Sequence, residues 1–275
     1  MKRVYNHIIF SLVGILAIAI PTATQAADAT TTAKAYWQEG IAAYESHNYK
    51  EAVDAFESII SLGEESAEVY YNLANAYFKL GQHKESAVRP FSSGELGKAI
   101  LNYHRALKLN PAMADARYNL ELAVDHTNDT ESIPQSFIAT LWHGLRSMMT
   151  SNGWTITSII MLATALILVM FYLLSANIML RKVGFFMAIV LIVCFFFVTA
   201  LAISSRHALQ SDNRAVVICN DTTPVHASPD SASKIIRQPS QGVTVRISRQ
   251  HGDWTEITFA DGEMGWIRKT AIEAI

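Results

Sequence analysis

Two long apolar runs, separated by a short basic connector, constrain this chain more than any other feature. Ile156 to Leu174 and Val183 to Ile203 contain no charged residue. As α-helices they reach roughly 28 and 31 Å, which is enough to cross the hydrocarbon core of a bilayer. Every backbone polar group in lipid must be paired within its own segment, so adjacent runs of this length favour a helical hairpin over two strands. We therefore predict two transmembrane helices, at 154–174 and 183–203.

The connector between these helices predicts their orientation. It runs from Ser175 to Lys182 and carries two cations, Arg181 and Lys182. Cations next to a membrane span are retained on the cytoplasmic side, so these two residues are candidate topology determinants. The chain before and after the hairpin should then lie on the opposite side of the membrane.

The N-terminus contains a second targeting signal. Lys2 and Arg3 precede an apolar stretch from Ile8 to Ile20, and small residues follow it up to Thr24-Gln25-Ala26. This order is typical of a secretory signal peptide, here residues 1–26, because the apolar stretch is too short to span a bilayer. Export of the N-terminal half agrees with the orientation predicted from the connector. The sequence therefore predicts a bacterial inner-membrane protein whose soluble parts are periplasmic.

Size and composition exclude several classes of function. The hairpin leaves about 125 residues before it and about 70 after it, so neither part can hold a large enzyme. The formal net charge is −2, and no Lys/Arg-rich run provides the basic footprint that nucleic acid needs. The chain has two cysteines, Cys194 within a predicted span and Cys219 near the C-terminal domain, so we expect no disulfide and no thiolate metal site.

No recognisable catalytic motif occurs in the sequence. It lacks Gly-x-Ser-x-Gly, a Walker-type glycine loop, His-Glu-x-x-His and a paired cysteine motif, and its nine histidines are scattered. We therefore predict a protein without enzymatic activity and without a metal or cofactor.

Helical periodicity repeats with a shift of about 34 residues between Ala33 and Val124. Ala33 and Ala67 begin equivalent units, and Ala114 begins a third that lacks a second helix. Small residues recur where paired helices would cross; they are Gly40, Ala52, Ala74, Ala99 and Ala106. This pattern resembles the tetratricopeptide repeat, which implies an all-α solenoid at 33–127 with a terminal capping helix.

The second unit is longer than the first by about a dozen residues, near 82–94. Pro90 forbids a continuous helix there, and Ser92-Ser93-Gly94 favours a loop. We predict an exposed insertion at the turn between the two helices of this repeat. Its role is open, because a longer loop costs little additional closure entropy and can be tolerated without a function.

The resemblance implies a concave face lined by the first helix of each unit. The candidate peptide-binding residues on this face are Trp37, Ile41, Tyr44, Tyr71, Asn72, Asn75, Phe78, Lys79, Tyr118 and Asn119. Asparagine side chains can hold a peptide backbone by donating and accepting together. Repeats that bind a C-terminal carboxylate carry cations here, whereas this chain has Trp37 and Ile41, so a more apolar protein ligand is expected. The alternative is that this face packs on a partner domain.

Residues 133–150 form a short amphipathic segment. Apolar side chains return at threes and fours between Phe137 and Met149, with Trp142 among them. Just before a predicted span, this pattern is typical of a helix that lies in the membrane interface. The alternative is an extra helix packed on the repeats.

The C-terminal segment, 214–275, reads as short strands separated by turns. The five predicted strands are 215–219, 234–236, 243–247, 254–258 and 265–267. With Gly252-Asp253-Trp254, Asp261-Gly262 and Gly265-Trp266-Ile267, this order resembles the bacterial SH3 domain, which implies a small all-β barrel. Its tryptophans could belong to the core or form a ligand platform. The fold class predicted for the whole chain is a multidomain membrane protein with an α-solenoid, a transmembrane hairpin and an SH3-like barrel.

The order of these segments resembles the BatE family of the Bacteroides aerotolerance (Bat) operon. The resemblance rests on Tyr71-Asn72-Leu73, Tyr118-Asn119-Leu120 and Ser151-Asn152-Gly153-Trp154 as well as on the order itself. It implies partners among the von Willebrand-type Bat proteins and a MoxR-type ATPase, in oxidative or envelope stress tolerance. We therefore expect a membrane scaffold that contacts lipid and protein partners. A cell-wall sensor whose SH3-like domain binds peptidoglycan is the alternative.

Overall fold

The computed structural model describes residues 30–83, 94–127, 137–219 and 223–275. The predicted signal peptide, and 84–93 of the predicted insertion, lie outside these ranges. Within them, five helices with apolar faces come first, then a short helix and two long apolar helices, and finally an antiparallel sheet.

The first five helices form a packed α-helical region. They are α1 at 30–45, α2 at Tyr49–Ser61, α3 at Ala67–His83, α4 at Glu95–Leu109 and α5 at Ala114–Asp125. The buried residues of α2 recur at threes and fours, from Ala52 through Phe56 to Ile59, which is the spacing of one helix face. The predicted all-α region is therefore present. α3 runs through His83, so Gln82 and His83 end the first helix of this unit and do not begin the second.

The helices approach one another closely at the small residues singled out in the sequence. A methyl group built on Gly40 would lie 2.8 Å from the ring of Phe56. Ala52, Ala74 and Ala99 are each 0% exposed, as is Ala106 at the contact with Tyr70 and Ala116. Larger side chains at these positions would hold the helices apart, since interiors are close-packed.

Helices α7, at Ser151–Leu174, and α8, at Ile178–Gln210, are long and apolar enough to cross a membrane by length and composition. They pack against each other, and Gly184 allows the approach, because a Cβ there would lie 3.2 Å from the carbonyl oxygen of Leu168. Most of their apolar side chains point away from the protein, as for Ile159 and Phe196, which are 60% and 66% exposed.

The connector between α7 and α8 is shorter than the sequence suggested. It consists of residues 175–177, and Arg181 and Lys182 lie in the first turns of α8. The reason is a cap: the side chain of Asn177 accepts a hydrogen bond of 2.9 Å from the backbone N–H of Met179 and starts the helix before the two cations.

The short helix α6, at Phe137–Arg146, packs on α8. The indole N–H of Trp142 donates to the hydroxyl of Ser204 at 3.1 Å, and its ring meets that of Phe197 edge to face. Ile138 is 78% exposed and Leu141 is 54% exposed, so this helix has an uncovered apolar side.

The C-terminal sheet has seven strands among the described residues, in the order β3-β2-β6-β5-β4-β1-β7. They are β1 at Arg214–Val217, β2 at Val225–His226, β3 at Ile235–Arg237, β4 at Thr244–His251, β5 at Trp254–Thr258, β6 at Met264–Arg268 and β7 at Ile272–Ala274. All pairings are antiparallel, and Ile257 of β5 faces Gly265 of β6. Strands β2 and β7 are additional to the five predicted, because two or three residues are too few to show an alternating pattern.

The sheet packs on the helical region through α4. A Cβ on Gly97 would lie 2.6 Å from the carbonyl oxygen of Val217, so the helix and the strand meet backbone to backbone. Val216 belongs to the same buried cluster as the helical core, and Arg105 of α4 forms an ion pair of 2.8 Å with Glu273 of β7. The helical core therefore extends to Val216 and Ile275 of the sheet region, while most of the buried residues of the sheet form a second cluster.

Candidate functional site

The predicted peptide-binding residues lie on α1, α3 and α5, the first helices of successive units. The structure brings the α3 and α5 members together. The side-chain amide of Asn119 donates to Asn75 Oδ1 at 2.9 Å and lies 3.3 Å from the hydroxyl of Tyr71. These three residues are partly exposed, and Tyr118, which precedes Asn119 on α5, is 67% exposed. A partly exposed polar cluster thus lies between the two helices.

Tyr103 of α4 completes this cluster and was absent from the sequence prediction. Its hydroxyl donates to Asn75 Oδ1 at 2.6 Å, and its ring tilts against that of Tyr71. Burial raises the pKa of Tyr103, so its phenol stays neutral and remains a donor. Tyr103 belongs to the second helix of its unit, whereas the predicted set was taken from first helices only. The sequence feature that could have identified Tyr103 is its position one helical turn after Ala99, a small residue at a predicted helix crossing.

The cluster leaves hydrogen-bonding groups unused. Asn75 Oδ1 accepts from both Tyr103 and Asn119, whereas Asn75 Nδ2 makes no hydrogen bond to another described residue. Asn119 Oδ1 likewise has no partner in the described part of the chain. One amide therefore offers donors and the other offers an acceptor, which is the set needed to pair with an extended peptide backbone.

The remaining predicted residues differ in their burial and in their hydrogen-bond partners. Asn72 donates to the carbonyl oxygen of Glu68 on its own helix, and Lys79 lies 3.3 Å from Gln82 Oε1. Phe78 is 6% exposed and its ring contacts that of His126, so it belongs to the core. The rest of the set, Trp37, Ile41 and Tyr44, is partly buried on α1 against the helical core.

The α1 aromatics are fixed by contacts within the first unit. Trp37 meets the ring of Phe56 edge to face, with centroids 5.8 Å apart, and Tyr44 meets Tyr49 at 5.4 Å. Burial, followed by neighbouring tyrosines, raises the pKa of Tyr44 and keeps it protonated. These side chains can supply apolar area at one end of the face, while the asparagine cluster supplies polar groups at the other.

The two candidate topology residues lie together at the connector end of α8. The guanidinium of Arg181 is 5.3 Å from the ring centre of Tyr172 on α7, and Arg181 and Lys182 are both exposed. No ion pair of either residue with an acid occurs in the described ranges.

The tryptophans of the sheet divide between core and surface. Trp254 is 8% exposed, with Arg268 stacked on its ring at 4.3 Å and His226 edge to face at 5.1 Å. Trp266 of β6 is partly exposed opposite His226 and Glu256. It is the aromatic surface of the sheet that a ligand can reach.

Among the residues described, no group of three or more His, Cys, Asp or Glu is placed to hold a metal ion. Cys194 lies on α8 and Cys219 follows β1, and neither takes part in a disulfide. The hydroxyl of Thr223 donates to Cys219 Sγ.

Comparisons with known proteins agree with the division of the chain into repeats and a sheet. Residues 38–93 match a tetratricopeptide repeat model and residues 90–124 match a TPR repeat model. Residues 220–273 match the bacterial SH3 domain. Tetratricopeptide repeats indicate protein–protein interaction, and both kinds of domain are typically non-catalytic.

One curated relative is similar over the SH3 region: the Bacillus subtilis (strain 168) protein named "Putative N-acetylmuramoyl-L-alanine amidase YrvJ". It is 35% identical over 80 residues, which make up 28% of this chain and 15% of that protein. The chain therefore spans a small fraction of the length of this relative. A cell-wall-associated domain and two apolar helices together suggest an envelope location.

Proposed function

We propose that this chain is a non-enzymatic scaffold of the bacterial inner membrane that assembles protein partners on the concave face of its repeats. The observation that carries the proposal is the partly exposed Asn75–Asn119 pair, whose unused donors and acceptor lie between α3 and α5. Tyr118, the residue before Asn119 on α5, adds exposed aromatic area. Such a face can pair with a peptide backbone and cover apolar side chains at the same time.

In the proposed arrangement α7 and α8 cross the membrane, and the repeats and the sheet are periplasmic. The connector is cytoplasmic, together with Arg181 and Lys182 in the first turns of α8. The contact between α4 and β1 supports it, because a hairpin of two spans returns the chain to the side from which it started. The uncovered apolar side of α6 would then lie in the membrane interface.

The partners we propose are other proteins of the Bat operon, namely the von Willebrand-type Bat proteins that work with a MoxR-type ATPase. The support is the resemblance in segment order described above. The process served would be oxidative or envelope stress tolerance.

Photocrosslinking in intact cells tests this function. A photoreactive amino acid at position 118 should crosslink to a von Willebrand-type Bat protein, and Asn75→Ala combined with Asn119→Ala should reduce that crosslink severalfold. The same probe at Lys50, an exposed residue of α2, is the matched control and should give none. Equal crosslinking from both positions, or no response to the asparagine changes, argues against a peptide-binding face.

A second candidate function, a cell-wall sensor, is favoured by the SH3 match and by the amidase relative. Here the sheet binds peptidoglycan, with Trp266 as the exposed aromatic. The full chain in neutral detergent should then sediment with purified wall material, and Trp266→Ala should weaken the binding. Scaffolding without wall binding predicts that the protein stays in the supernatant.

A further inference from the structure

A cavity of about 340 Å³ lies where the repeats, the apolar helices and the sheet meet. Its walls come from α4, α5, α6, the first residue of α7, the last turns of α8 and the start of β1. It is distinct from the concave face of the repeats, because none of the ten predicted peptide-binding residues lines it.

The charges that line this cavity are strongly one-sided. Lys108, Arg117, Arg146 and Arg214 face a single carboxylate, Asp212, among the described lining residues. Arg214 holds that carboxylate with two hydrogen bonds of 2.9 Å. Burial raises the pKa of Asp212, but the hydrogen bonds from Arg214 outweigh this and the net pKa is lowered. Asp212 therefore compensates Arg214 and leaves three cations.

None of these three cations forms an ion pair with an aspartate or a glutamate in the described part of the structure. Lys108 Nζ donates at 2.6 Å to an oxygen of Ile275, the last residue described, so Lys108 has a partner of its own. Arg117 donates at 2.6 Å to the backbone carbonyl of Pro111, and this neutral group leaves the charge of Arg117 uncompensated. The guanidinium of Arg146 makes no hydrogen bond or ion pair with a described residue.

The positive charges converge on one point from three elements. Burial lowers the pKa of His143 on α6, and so do Arg146 on the same helix, Arg214 on β1 and Arg117 on α5. Like charges that meet in a partly desolvated cavity repel one another, and an anion bound between them relieves this repulsion.

The position of the cavity indicates which anion it takes. Ser151 begins α7, and Ala208 and Leu209 follow the last strongly exposed apolar residue of α8, Ile203, which is 65% exposed. The cavity thus lies at the end of the apolar helices, level with the polar headgroups if those helices cross a bilayer. Its lining also includes serines and apolar side chains, among them Leu107 and Leu120, a mixture that suits the glycerol and upper acyl part of an amphiphile.

We propose that this cavity binds the phosphate-bearing headgroup of an anionic membrane lipid, with Arg146 and Arg117 as the phosphate ligands and Lys108 adding positive charge beside them. The inference rests on the proposed membrane anchoring of α7 and α8. A bound lipid would connect α6, the end of the repeats and the base of the sheet, and so fix the orientation of the soluble parts on the membrane.

The test uses the full chain, delipidated in neutral detergent, and compares thermal stability with phosphatidylglycerol, with phosphatidylcholine of the same acyl chains, and with glycerol 1-phosphate. We expect phosphatidylglycerol to raise the melting temperature well above the other two. Arg146→Gln should weaken the apparent affinity about tenfold or more, as expected for loss of a charge-assisted hydrogen bond, while Arg146→Lys should keep most of it. The melting temperature without lipid checks that each variant is folded.

Lys34→Gln is the matched control, because it removes one exposed cation of α1 that does not line the cavity. It should leave the response to phosphatidylglycerol unchanged. An equal loss in this control, an equal response to phosphatidylcholine, or an equal response to glycerol 1-phosphate overturns the lipid site. An acidic hexapeptide that stabilises the protein through the same arginines would make the cavity a protein-docking site instead.

Flotation with phosphatidylcholine vesicles separates this inference from the anchoring on which it depends. A chain that does not float contradicts the anchoring itself. A chain that floats but shows no preference for phosphatidylglycerol contradicts the lipid site alone.

Discussion

At the scale of single residues, the positions without a side chain decide how the parts of the molecule fit. Gly97 lets α4 meet the backbone of β1, and Gly242, at a positive φ of 88°, would place a Cβ 2.5 Å from Ile100. A residue with a side chain at position 242 would be strained by the positive φ alone. At position 97 the backbone is helical, and a side chain would be strained only by its close contact with β1. The junction between repeats and sheet therefore depends on two glycines whose role is the contact itself and not the local secondary structure.

Gly97→Ala should destabilise the protein. The added Cβ would meet the Val217 carbonyl oxygen at 2.6 Å, and overpacking of this kind costs about 1–3 kcal/mol. Gly144→Ala in the middle of α6 is the control, since nothing lies within 4 Å of its added Cβ and alanine favours a helix by roughly 0.5–1 kcal/mol. Thermal melting in detergent should therefore show a lower midpoint for the first variant and not for the second. A stabilised Gly97→Ala protein would contradict the backbone contact.

His104 should make the protein less stable in acid. Burial and, to a smaller extent, the cation of Arg214 lower its pKa, Asp212 opposes them, and the net pKa is about 4. The unfolded chain binds this proton near pH 6.5 and the folded chain only near pH 4, so stability is retained above 6.5 and lost as the pH falls between these values. The loss reaches about 3 kcal/mol at most.

Melting at pH 7.5 and 4.5 measures this effect. His104→Gln keeps a polar group beside Thr244, whose hydroxyl lies 3.5 Å from His104 Nε2, and should reduce the fall in melting temperature. An unchanged fall would assign the acid sensitivity to other groups.

At the scale of elements, the sequence was most informative where a pattern is long. The two apolar runs and the repeat period predicted α7, α8 and α1 to α5, because each pattern extends over several turns. Asn177 shows the limit: its side chain caps α8 and moves Arg181 and Lys182 from a loop into a helix, although the apolar run begins only at Val183. Strands β2 and β7 were missed because these short segments are defined by their pairing, β2 with β3 and β6, and β7 with β1.

The candidate site was predictable only in part. Asn75, Asn119 and Tyr71 followed from the repeat period, but Tyr103 reaches the cluster from a neighbouring helix, and Phe78 is turned into the core against His126. Such outcomes depend on side-chain packing between helices, which periodicity does not report. The basic residues of the cationic cavity come from α4, α5, α6 and β1, so no single stretch of sequence predicts the cavity.

Neutralising the connector tests the proposed role of α8. Arg181→Gln with Lys182→Gln removes the positive charge at its start, and retaining a cation inside is worth about 2.3 kcal/mol per charge at 100 mV. We expect the repeats to be exported as before and α8 to insert less reliably. Labelling from outside at a cysteine introduced at Asp230 should fall, while labelling at Glu51 should be kept. If both sites lost labelling together, residues 1–26 would not act as an efficient signal peptide.

At the scale of the whole molecule, a buried junction joins the repeats and the sheet, although the two apolar helices separate them in sequence. Val216 and Ile275 of the sheet region are buried with α4, and Arg105 pairs with Glu273 across the same junction. Such a junction can form only if both parts are on one side of the membrane. In our account the molecule is therefore a rigid two-part platform on a membrane hairpin, with the concave face for protein partners and a lipid site at its base.

Cysteine labelling with a reagent that cannot cross membranes tests this account most directly. In a background with Cys194→Ala and Cys219→Ala, single cysteines replace three exposed residues, Glu51 in the repeats, Asn177 in the connector and Asp230 in the sheet. We predict that a reagent applied to the periplasmic side of intact cells modifies positions 51 and 230 and leaves position 177 unmodified until the membrane is permeabilised. Labelling at 177 alone, or at only one of 51 and 230, would contradict a joined platform anchored on one side.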